Sequence, residues 1–351
     1  MNNVNFADIL TEYGPVALTE AVRKIKNEPF VLTARLGKNV VPSTDETCVF
    51  EVGEGTYNLA PVGYSGDPAN NVNISRRRKA YTVTPPQIFL KDRITAREAV
   101  SARDIGQNPI NMTSGDKDSA FMQRIAIKQQ GLMRLIDRRI EWMFAQAMHG
   151  KINYVSETGR AFEIDYKLPK PVSVANGANA WNRDGDPLDQ LRLLAKEFKR
   201  VNNQLEPDLI IFGSNAGDHF MSNESVKEWR KSAGDRPFRS EAPLGKSEAQ
   251  PLGNLEGSDL FEYSATYEND KGAETPYLEP DCVYLTSSSL WRLYYGAIMD
   301  FDAGNPPLVA GSVFSKMKVS GDGKAMDLYV ESHPLPVVVS NTAVVRAKVV
   351  D

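Results

Sequence analysis

The side chains best suited to catalysis or metal binding are few in this chain and lie far apart in the sequence. Three histidines and two cysteines occur in 351 residues: His149, His219, His333, Cys48 and Cys282. No second histidine stands at a metal-ligand spacing from any of them, and the cysteines do not form a C-x-x-C pair. The spacing therefore predicts neither a zinc site nor a disulfide framework, and it is typical of a protein from a reducing compartment.

Two glycine-containing segments resemble phosphate-binding loops, and each lacks a glycine that the loop requires. Gly245–Ser247 has the Gly-Lys-Ser end of a P-loop, but Ser240 stands where its first glycine is needed. Gly53–Gly55 begins like a dinucleotide-binding turn, but Asn58 replaces the third glycine. Because neither segment has the full set of glycines, we expect no nucleotide site and no cofactor.

A third segment, Asn182–Asp186, places amide and carboxylate oxygens at the alternate positions of a calcium loop. Pro187 then stands where a calcium loop turns at glycine, and Leu193 where it has a bidentate glutamate. Asp186 is better interpreted as the cap of a following helix. No G-x-S-x-G nucleophile elbow is present. We therefore expect a protein that is not an enzyme, and a hydrolase with catalytic residues scattered along the sequence is the alternative.

The composition is that of a folded protein without a strong net charge. Hydrophobic residues make up 41% and charged residues 25% of the chain, and the net charge is −4. Such a chain can bury a substantial core, and its bulk charge does not draw it to nucleic acid. No apolar run is long enough to cross a membrane, and the first ten residues lack the basic and apolar regions of a signal peptide. We expect synthesis in a cytoplasm.

The element most clearly predicted by pattern is one long helix from about Asp116 to His149. Apolar residues at steps of four or seven form a stripe on one face: Phe121, Ile125, Leu132, Ile136, Ile140, Phe144 and Met148, widened by Met122, Met133, Leu135, Trp142 and Met143. Gly150 can adopt the left-handed conformation that ends a helix, and cations at His149 and Lys151 would be favoured there. At 1.5 Å per residue the helix spans roughly 50 Å, which is typical of a structural spine.

The sequence before this helix has few apolar residues and little periodicity, so it needs another surface to be stable. Asn27–Pro42 is predicted to be extended, Thr47–Val52 alternates like a strand, and Tyr81–Leu90 is a second extended leg. Between the legs lie the polar segment Gly53–Ile74 and the basic run Arg76–Lys79. The pattern indicates a projecting loop that a partner orders. The basic run is either a solvated loop tip or a contact with nucleic acid or an acidic neighbour.

The sequence after the long helix combines short strands with further helices. The predicted elements are a hairpin (Ile152–Val155 and Arg160–Tyr166), a second helix (Leu188–Val201), a buried strand (Leu209–Phe212), two short helices (Asn215–Met221 and Glu224–Lys231), a polar loop (Arg236–Asn254), and strands over Leu260–Tyr267, Tyr277–Leu278, Val283–Thr286, Trp291–Tyr295, Val313–Val319, Leu328–Glu331 and Pro336–Val349. Helices and strands are largely segregated along the chain. The predicted fold class is therefore α+β, and a doubly wound parallel sheet is not expected.

This order of elements resembles the major capsid proteins of tailed phages, specifically the lambda-type group called major capsid protein E. The similarity covers nearly the whole chain. It is strongest over Arg139–Val174, where a helix ends at a Gly-Lys step before a hairpin with an aromatic-acidic second strand. It is also strong from Tyr277 to the C-terminus, which includes YLEPDCVYLTSSS and the closing ESHPLPVVVSNTAVVRAKV. It is loosest before Asn27 and over Arg236–Asn254.

The resemblance implies a Hong Kong 97-type fold with five parts. These are an N-terminal arm (1–45), an extended loop lying over the next subunit (46–100), a peripheral domain with the spine helix (101–186), an axial domain (187–303) and a return to the peripheral domain (304–351). The implied function is that of a structural subunit. It would self-assemble through hexamers and pentamers into an icosahedral head shell around phage double-stranded DNA.

The implied location is the virion capsid, assembled in the cytoplasm of a bacterial host. The implied partners are further copies of the chain, scaffold and portal proteins, in some heads a decoration protein, and DNA that is enclosed without sequence-specific binding; no membrane is implied. A nanocompartment shell of the same fold, which packages cargo enzymes and no genome, is the alternative. Six residues are candidates for contact between subunits: Arg76, Arg77, Arg78, Lys79, Phe30 and Leu36. The basic side chains would pair with acidic groups of a neighbour, where charge pairs set register more than affinity.

Overall fold

A computed structural model of the protein describes residues 19, 30–54, 77–101, 114–155, 159, 161–174, 179–232, 249–269 and 272–351. Its helices are α1 (Val31–Leu36), α2 (Ala96–Ser101), α3 (Ser114–Met148), α4 (Pro187–Val201), α5 (Ser214–Ser222) and α6 (Glu224–Ser232). Its strands are β1 (Val40–Pro42), β2 (Cys48–Glu54), β3 (Arg77–Val83), β4 (Ile88–Thr95), β5 (Lys151–Val155), β6 (Ala161–Asp165), β7 (Val172–Ser173), β8 (Leu209–Phe212), β9 (Ala249–Leu255), β10 (Ser258–Tyr263), β11 (Thr266–Glu268), β12 (Glu274–Pro276), β13 (Cys282–Thr286), β14 (Trp291–Tyr295), β15 (Ile298–Met299), β16 (Leu308–Val309), β17 (Phe314–Val319), β18 (Ala325–Ser332), β19 (Pro334–Val338) and β20 (Val344–Lys348).

The long helix α3 confirms the predicted spine within about two residues at each end. The members of the predicted stripe whose side chains are described are all at most 7% exposed: Ile125, Leu132, Ile136, Ile140, Phe144 and Met148. Leu135 was predicted beside the stripe and is half exposed. Adjacent residues of a helix lie about 100° apart, so Leu135 is turned away from the core that receives Ile136. Gly150 follows with a φ of 97°, as the predicted helix end requires.

A six-stranded sheet divides the buried apolar side chains into two cores. Its strand order is β7-β20-β13-β8-β10-β9, with β8 parallel to β10 and antiparallel to β13. Successive side chains of a strand point to opposite faces, so Leu209 and Ile211 of β8 enter one core while Ile210 and Phe212 enter the other. The fold combines helices with mixed and antiparallel sheets and has no doubly wound parallel sheet among its described residues, which confirms the predicted α+β class.

The first core is the larger and collects segments from distant parts of the chain. It contains α1, the C-terminal half of α3, the hairpin β2–β3, the sheet β1-β14-β19 and the sheet β17-β18-β4. The second core lies on the other face of the six-stranded sheet. It is formed by helices α4, α5 and α6, with Trp181 and the last residues of the chain.

Three predictions of local structure are corrected by the fold. Asn27–Pro42 is not wholly extended, because Val31–Leu36 forms helix α1. The segment predicted as a polar loop over Arg236–Asn254 ends in strand β9, which begins at Ala249; residues 236–248 lie outside the described residues. Arg77–Lys79 was interpreted as part of a loop tip and instead lies within β3.

The two predicted legs of the projecting loop do pair. Strands β2 and β3 are antiparallel neighbours, with Cys48 opposite Val83 and Glu54 opposite Arg77. Residues 55–76, which connect the two strands, all lie outside the described residues. The five domain boundaries stay predictions. Among the helices that the structure describes, none is long and apolar enough to span a membrane.

Candidate assembly surfaces

Two of the residues first considered for chemistry share neighbours: His149 contacts Tyr284, and Cys282 donates to Glu279, whose N–H donates to the Tyr284 hydroxyl. Within the described ranges no three His, Cys, Asp or Glu side chains are grouped so that they could hold a metal ion. Burial raises the pKa of Cys48 to about 11 and that of Cys282 to about 12, so both thiols stay protonated at neutral pH. Both cysteines are free.

His149 corrects the expectation of a cation at the end of the long helix. Its Nε2 lies 3.0 Å from the Tyr284 hydroxyl, and the two rings are in contact. Burial lowers the pKa of His149 to about 4, so the imidazole is neutral at pH 7. The cost of removing the charged ring from water exceeds the attraction of the helix end.

The segment that resembled a calcium loop ends in a helix cap, as predicted. The Asp186 carboxylate accepts a hydrogen bond from the Leu188 N–H at 3.0 Å and precedes Pro187 at the first position of α4. The Ser225 hydroxyl donates to the same carboxylate at 2.9 Å. Asp186 thus joins the start of α4 to α6.

Glu141, on α3, is a buried polar residue with a structural role that sequence reasoning missed. It is completely buried. Its carboxylate accepts hydrogen bonds from the N–H groups of Leu32 and Thr33 at 2.8 Å, from the Thr33 hydroxyl at 2.7 Å and from the Tyr263 hydroxyl at 2.7 Å. Burial raises the pKa of Glu141, while the bonds from Thr33 and Tyr263 oppose that rise. Hydrogen bonds to Glu141 therefore join α1, α3 and the end of β10, which lie more than a hundred residues apart in sequence.

These bonds also explain why α1 is a helix. Its N-cap residue, Phe30, makes no side-chain capping bond. Glu141 supplies the acceptor from another element, and it satisfies two of the four N–H groups that are unpaired at a helix start. The six-residue helix is thus stabilised by its contact with α3 and not by its own length.

The three-stranded sheet β17-β18-β4 carries a partly buried charge cluster on its middle strand. The Asp327 carboxylate of β18 is 2.8 Å from Arg93 Nε and 2.8 Å from Lys91 Nζ, both on β4. Hydrogen bonds from Arg93 and Lys91 lower the pKa of Asp327 to about 2. These bonds fix β4, which follows the hairpin β2–β3, to the C-terminal part of the chain.

A groove of about 960 Å³ lies between the outer face of α3 and two hairpins. Its lining residues combine aromatic, aliphatic and charged side chains: Phe30, Leu135, Arg138, Arg139, Trp142, Asn153, Tyr154, Val155, Thr266, Tyr267, Glu268, Asn269, Gly272, Glu274 and Tyr277. The Arg139 guanidinium lies between two rings, 5.1 Å from the Trp142 centroid and 4.8 Å from the Tyr154 centroid. The groove can therefore accept an aromatic or aliphatic side chain with polar groups beside it.

The fold separates the two apolar contact candidates. Phe30 is half-buried and lines the groove, where a neighbouring molecule can reach it. Leu36 is completely buried in the first core of its own chain, so its side chain can act on a neighbour only by holding α1 in place. Among the basic candidates, Arg77, Arg78 and Lys79 lie in β3, and Arg76 lies outside the described residues.

The largest apolar exposure in the described part of the chain is at Phe301, which is 93% exposed. It lies in a short 3₁₀ turn, Phe301–Ala303, after strand β15. Met299, two residues earlier, is also exposed. The pair forms an apolar projection outside both cores.

Comparisons with known proteins place the chain among phage proteins. The model of the family described as phage major capsid protein E matches residues 14–349. A solved structure of a protein assigned as the capsid protein of a prophage of E. coli CFT073 is 19% identical, with a TM-score of 0.70, and the match covers 96% of this chain and 99% of that one. None of the curated proteins compared with the chain matches it.

Two further solved structures share the fold at lower identity. A phage-related protein of Bordetella bronchiseptica RB50 is 12% identical, with a TM-score of 0.56, over 95% of this chain and 97% of that one. A chain of the capsid of cyanophage A-1(L) is 9% identical, with a TM-score of 0.53, over 93% of this chain and 94% of that one. At such identities the likeness concerns the fold alone.

Proposed function

The chain belongs to the phage major capsid protein E family, and we propose that it assembles through hexamers and pentamers into an icosahedral head shell that encloses phage double-stranded DNA. It is a shell-forming structural subunit with a Hong Kong 97-type fold, and its place is the virion capsid. The observation that carries the proposal is the family match over residues 14–349.

We further propose that assembly takes place in the host cytoplasm, with scaffold and portal proteins and, in some heads, a decoration protein. The role is structural and not catalytic, and DNA is enclosed without being read. The raised pKa values of Cys48 and Cys282 support this, because a protonated thiol is a poor nucleophile.

The domain assignment follows from the same proposal. The hairpin β2–β3 is the base of the extended loop, α3 is the spine of the peripheral domain, and helices α4 to α6 with the second core belong to the axial domain. The pairing of Cys48–Glu54 with Arg77–Val83 supports the first assignment. Helices α4 to α6, which form much of the second core, all lie within the proposed axial range 187–303, and this supports their assignment to the axial domain.

A nanocompartment shell of the same fold is the competing proposal, and the family match favours the phage head. The contents of assembled particles distinguish the two. A head packages DNA when the packaging genes are present, whereas a nanocompartment contains cargo protein and no genome.

The first test is negative-stain electron microscopy, with size measurement, of the chain expressed alone and then with its neighbouring phage genes. We expect rings of five or six subunits, or closed shells. A subunit that stays monomeric under both conditions would overturn the assembly proposal.

A further inference from the structure

The Phe301 side chain is presented to solvent by a turn that is unusually well fixed. The Asp300 carboxylate accepts a hydrogen bond from the Asp302 N–H at 2.8 Å, and the Ala303 N–H donates to the Asp300 carbonyl at 3.0 Å. The Asp300 N–H in turn donates to the Pro307 carbonyl at 3.1 Å. We call residues 299–303 the aromatic turn.

Two lysines of strand β17 also hold the aromatic turn through ion pairs. Lys316 is only 11% exposed and binds the carboxylates of Asp300, itself 13% exposed, and of Asp302, the latter at 3.0 Å. Lys318 binds Asp302 at 2.8 Å. Burying a lysine and an aspartate is costly unless the geometry is well satisfied. Here these buried ion pairs hold a turn whose aromatic side chain is not buried within its own chain.

Single exposed apolar residues are common and need no explanation, but a projecting pair on a rigid turn is different. Phe301 and Met299 are two residues apart and both exposed. Because the turn is held by ion pairs and backbone bonds, little conformational entropy remains to be lost when the ring is buried by a partner. Aromatic side chains presented in this way are typical of the few residues that dominate an interface.

The groove on α3 matches the aromatic turn in chemistry. Its lining includes Trp142, Tyr154 and the aliphatic Val155, which suit an incoming phenyl ring. Arg139 stacks on the Trp142 and Tyr154 rings, and the rest of the lining mixes polar and apolar side chains.

The two surfaces also carry charged side chains. The groove is lined by both basic and acidic side chains, Arg138 and Arg139 on α3 and Glu268 and Glu274 on the hairpin β11–β12. At the aromatic turn, Asp302 is paired with the half-exposed Lys318 at 2.8 Å, so the turn also presents both signs of charge. Charges of both signs on the two surfaces can set the orientation of a contact.

We propose that the aromatic turn of one subunit inserts Phe301 into the α3 groove of a second copy of this chain, an interface that rests on the shell-forming role proposed above. The two surfaces are different patches of the molecule, so the contact is heterologous and runs head to tail. Such contacts close into rings or tile a surface, as a shell requires. Phe30, which lines the same groove, would contact the inserted ring.

Engineered cysteines test this contact directly. Two versions of the chain, one with Phe301→Cys and one with Val155→Cys, are co-expressed with tags of different size, assembled and oxidised. A disulfide forms only when the two Cα atoms approach within about 7 Å. The native thiols give little background, because Cys48 and Cys282 are buried and protonated. We expect a mixed cross-linked dimer in assembled particles.

The matched control replaces Val155→Cys by Leu193→Cys, at an equally exposed apolar position on α4 outside the groove. That pair should give no mixed dimer. Particles that assemble but form no link between positions 301 and 155 would overturn the proposed contact. A link between two copies of position 301 would overturn it too. If the unmodified chain forms no particles, the assembly proposal itself fails, so the two failures are distinguishable.

Truncation of the ring gives a second measure. Phe301→Ala should raise the subunit concentration needed for assembly by roughly tenfold or more, because a central aromatic contact is lost. Leu193→Ala is the control for loss of exposed apolar surface and should leave assembly unchanged. An unchanged assembly threshold for Phe301→Ala would contradict the proposal.

Discussion

The two cores of this protein are stabilised differently. The second core is enclosed by three helices on one face of the six-stranded sheet, and its members are apolar. The first core joins segments from Val31 to Val344. The described buried carboxylates, Glu141, Asp327 and Glu331, all lie on elements of this first core.

The difference teaches how a chain holds segments that cannot fold alone. Apolar burial is nondirectional and suffices where a whole helix covers a sheet. Helix α1 buries only Val31, Leu32 and Leu36, so its apolar surface alone cannot define its position. The hydrogen bonds to Glu141 are directional and supply that definition. The predictions below test this contrast in order of decreasing effect on the free energy of unfolding.

Phe198→Ala should show that the second core depends on apolar packing. Phe198, on α4, is completely buried, and its loss leaves a cavity. We expect a loss of about 3–5 kcal/mol in the free energy of unfolding. Hydrogen exchange followed by mass spectrometry should show lost protection in α4 and β8 and retained protection in α1. Equal loss in both regions would mean that the two cores unfold as one unit.

Glu141→Ala should produce the reverse pattern. Removing the carboxylate leaves buried N–H and hydroxyl donors without an acceptor, which we expect to cost about 3 kcal/mol. Protection should be lost in α1 and the C-terminal half of α3 and kept in α4. Glu141→Gln is the matched control, because it keeps the shape and one acceptor oxygen, and it should cost less. If α1 keeps its protection from hydrogen exchange in Glu141→Ala, the hydrogen bonds to Glu141 do not hold α1 in place.

The buried His149 should make the first core sensitive to acid. Its pKa is lowered to about 4 in the folded protein, against about 6.5 when exposed. The unfolded state therefore binds the proton more readily, and stability falls as the pH drops from about 6.5 toward 4. His149→Gln, which can still bond to Tyr284, should remove about 2 kcal/mol of this loss at pH 5. Urea unfolding at pH 8 and pH 5 measures the free energy of unfolding of each protein. An equal loss between the two pH values in the wild type and in His149→Gln would contradict the prediction.

The outcome of the sequence predictions follows the same contrast. The stripe on α3 was predicted from its helical period, strand β8 from a short continuous apolar run, and the paired legs from short extended segments on either side of a polar stretch. Helix α1 was missed, because six residues hold fewer than two turns and its stabilising partner, Glu141, is more than a hundred residues away. Glu141 itself is one polar residue beside an apolar stripe, and nothing in its neighbours distinguishes it from a solvated position. Phe301 gave only a weak signal, an aromatic between two aspartates in a Gly/Pro-rich stretch.

Asp327→Asn should weaken the attachment of β4 to β18 in a pH-dependent way. The pKa of Asp327 is lowered to about 2 by Arg93 and Lys91, against about 4 in an unfolded chain. Its contribution to stability is therefore present above about pH 4 and is lost as the pH falls through 2. The variant should be less stable than the wild type at pH 7, and the difference should vanish near pH 2. The exposed Asp184→Asn serves as the control, and a difference that persists at pH 2 would rule out the ion pairs as its cause.

Reversing the basic run should have the smallest effect on folding and a large one on assembly. In the variant Arg76→Glu, Arg77→Glu and Arg78→Glu, we expect the free energy of unfolding to change by about 0.5 kcal/mol or less. The hairpin is held instead by apolar contacts such as the stacked Phe50 and Tyr81 rings, 5.5 Å apart. A head-to-tail contact that uses these charges to set register would be lost, so shells should be absent or malformed.

The matched variant reverses three exposed lysines elsewhere, Lys170, Lys196 and Lys324, and changes the net charge equally. If both variants fail to assemble, bulk charge is the cause and the hairpin has no special role. If the arginine variant alone fails while its subunit stays folded, the hairpin acts between subunits and not within one. Normal shells from the arginine variant would show that the basic run makes no contact needed for assembly. The proposed contact between the aromatic turn and the α3 groove would not be affected by that result.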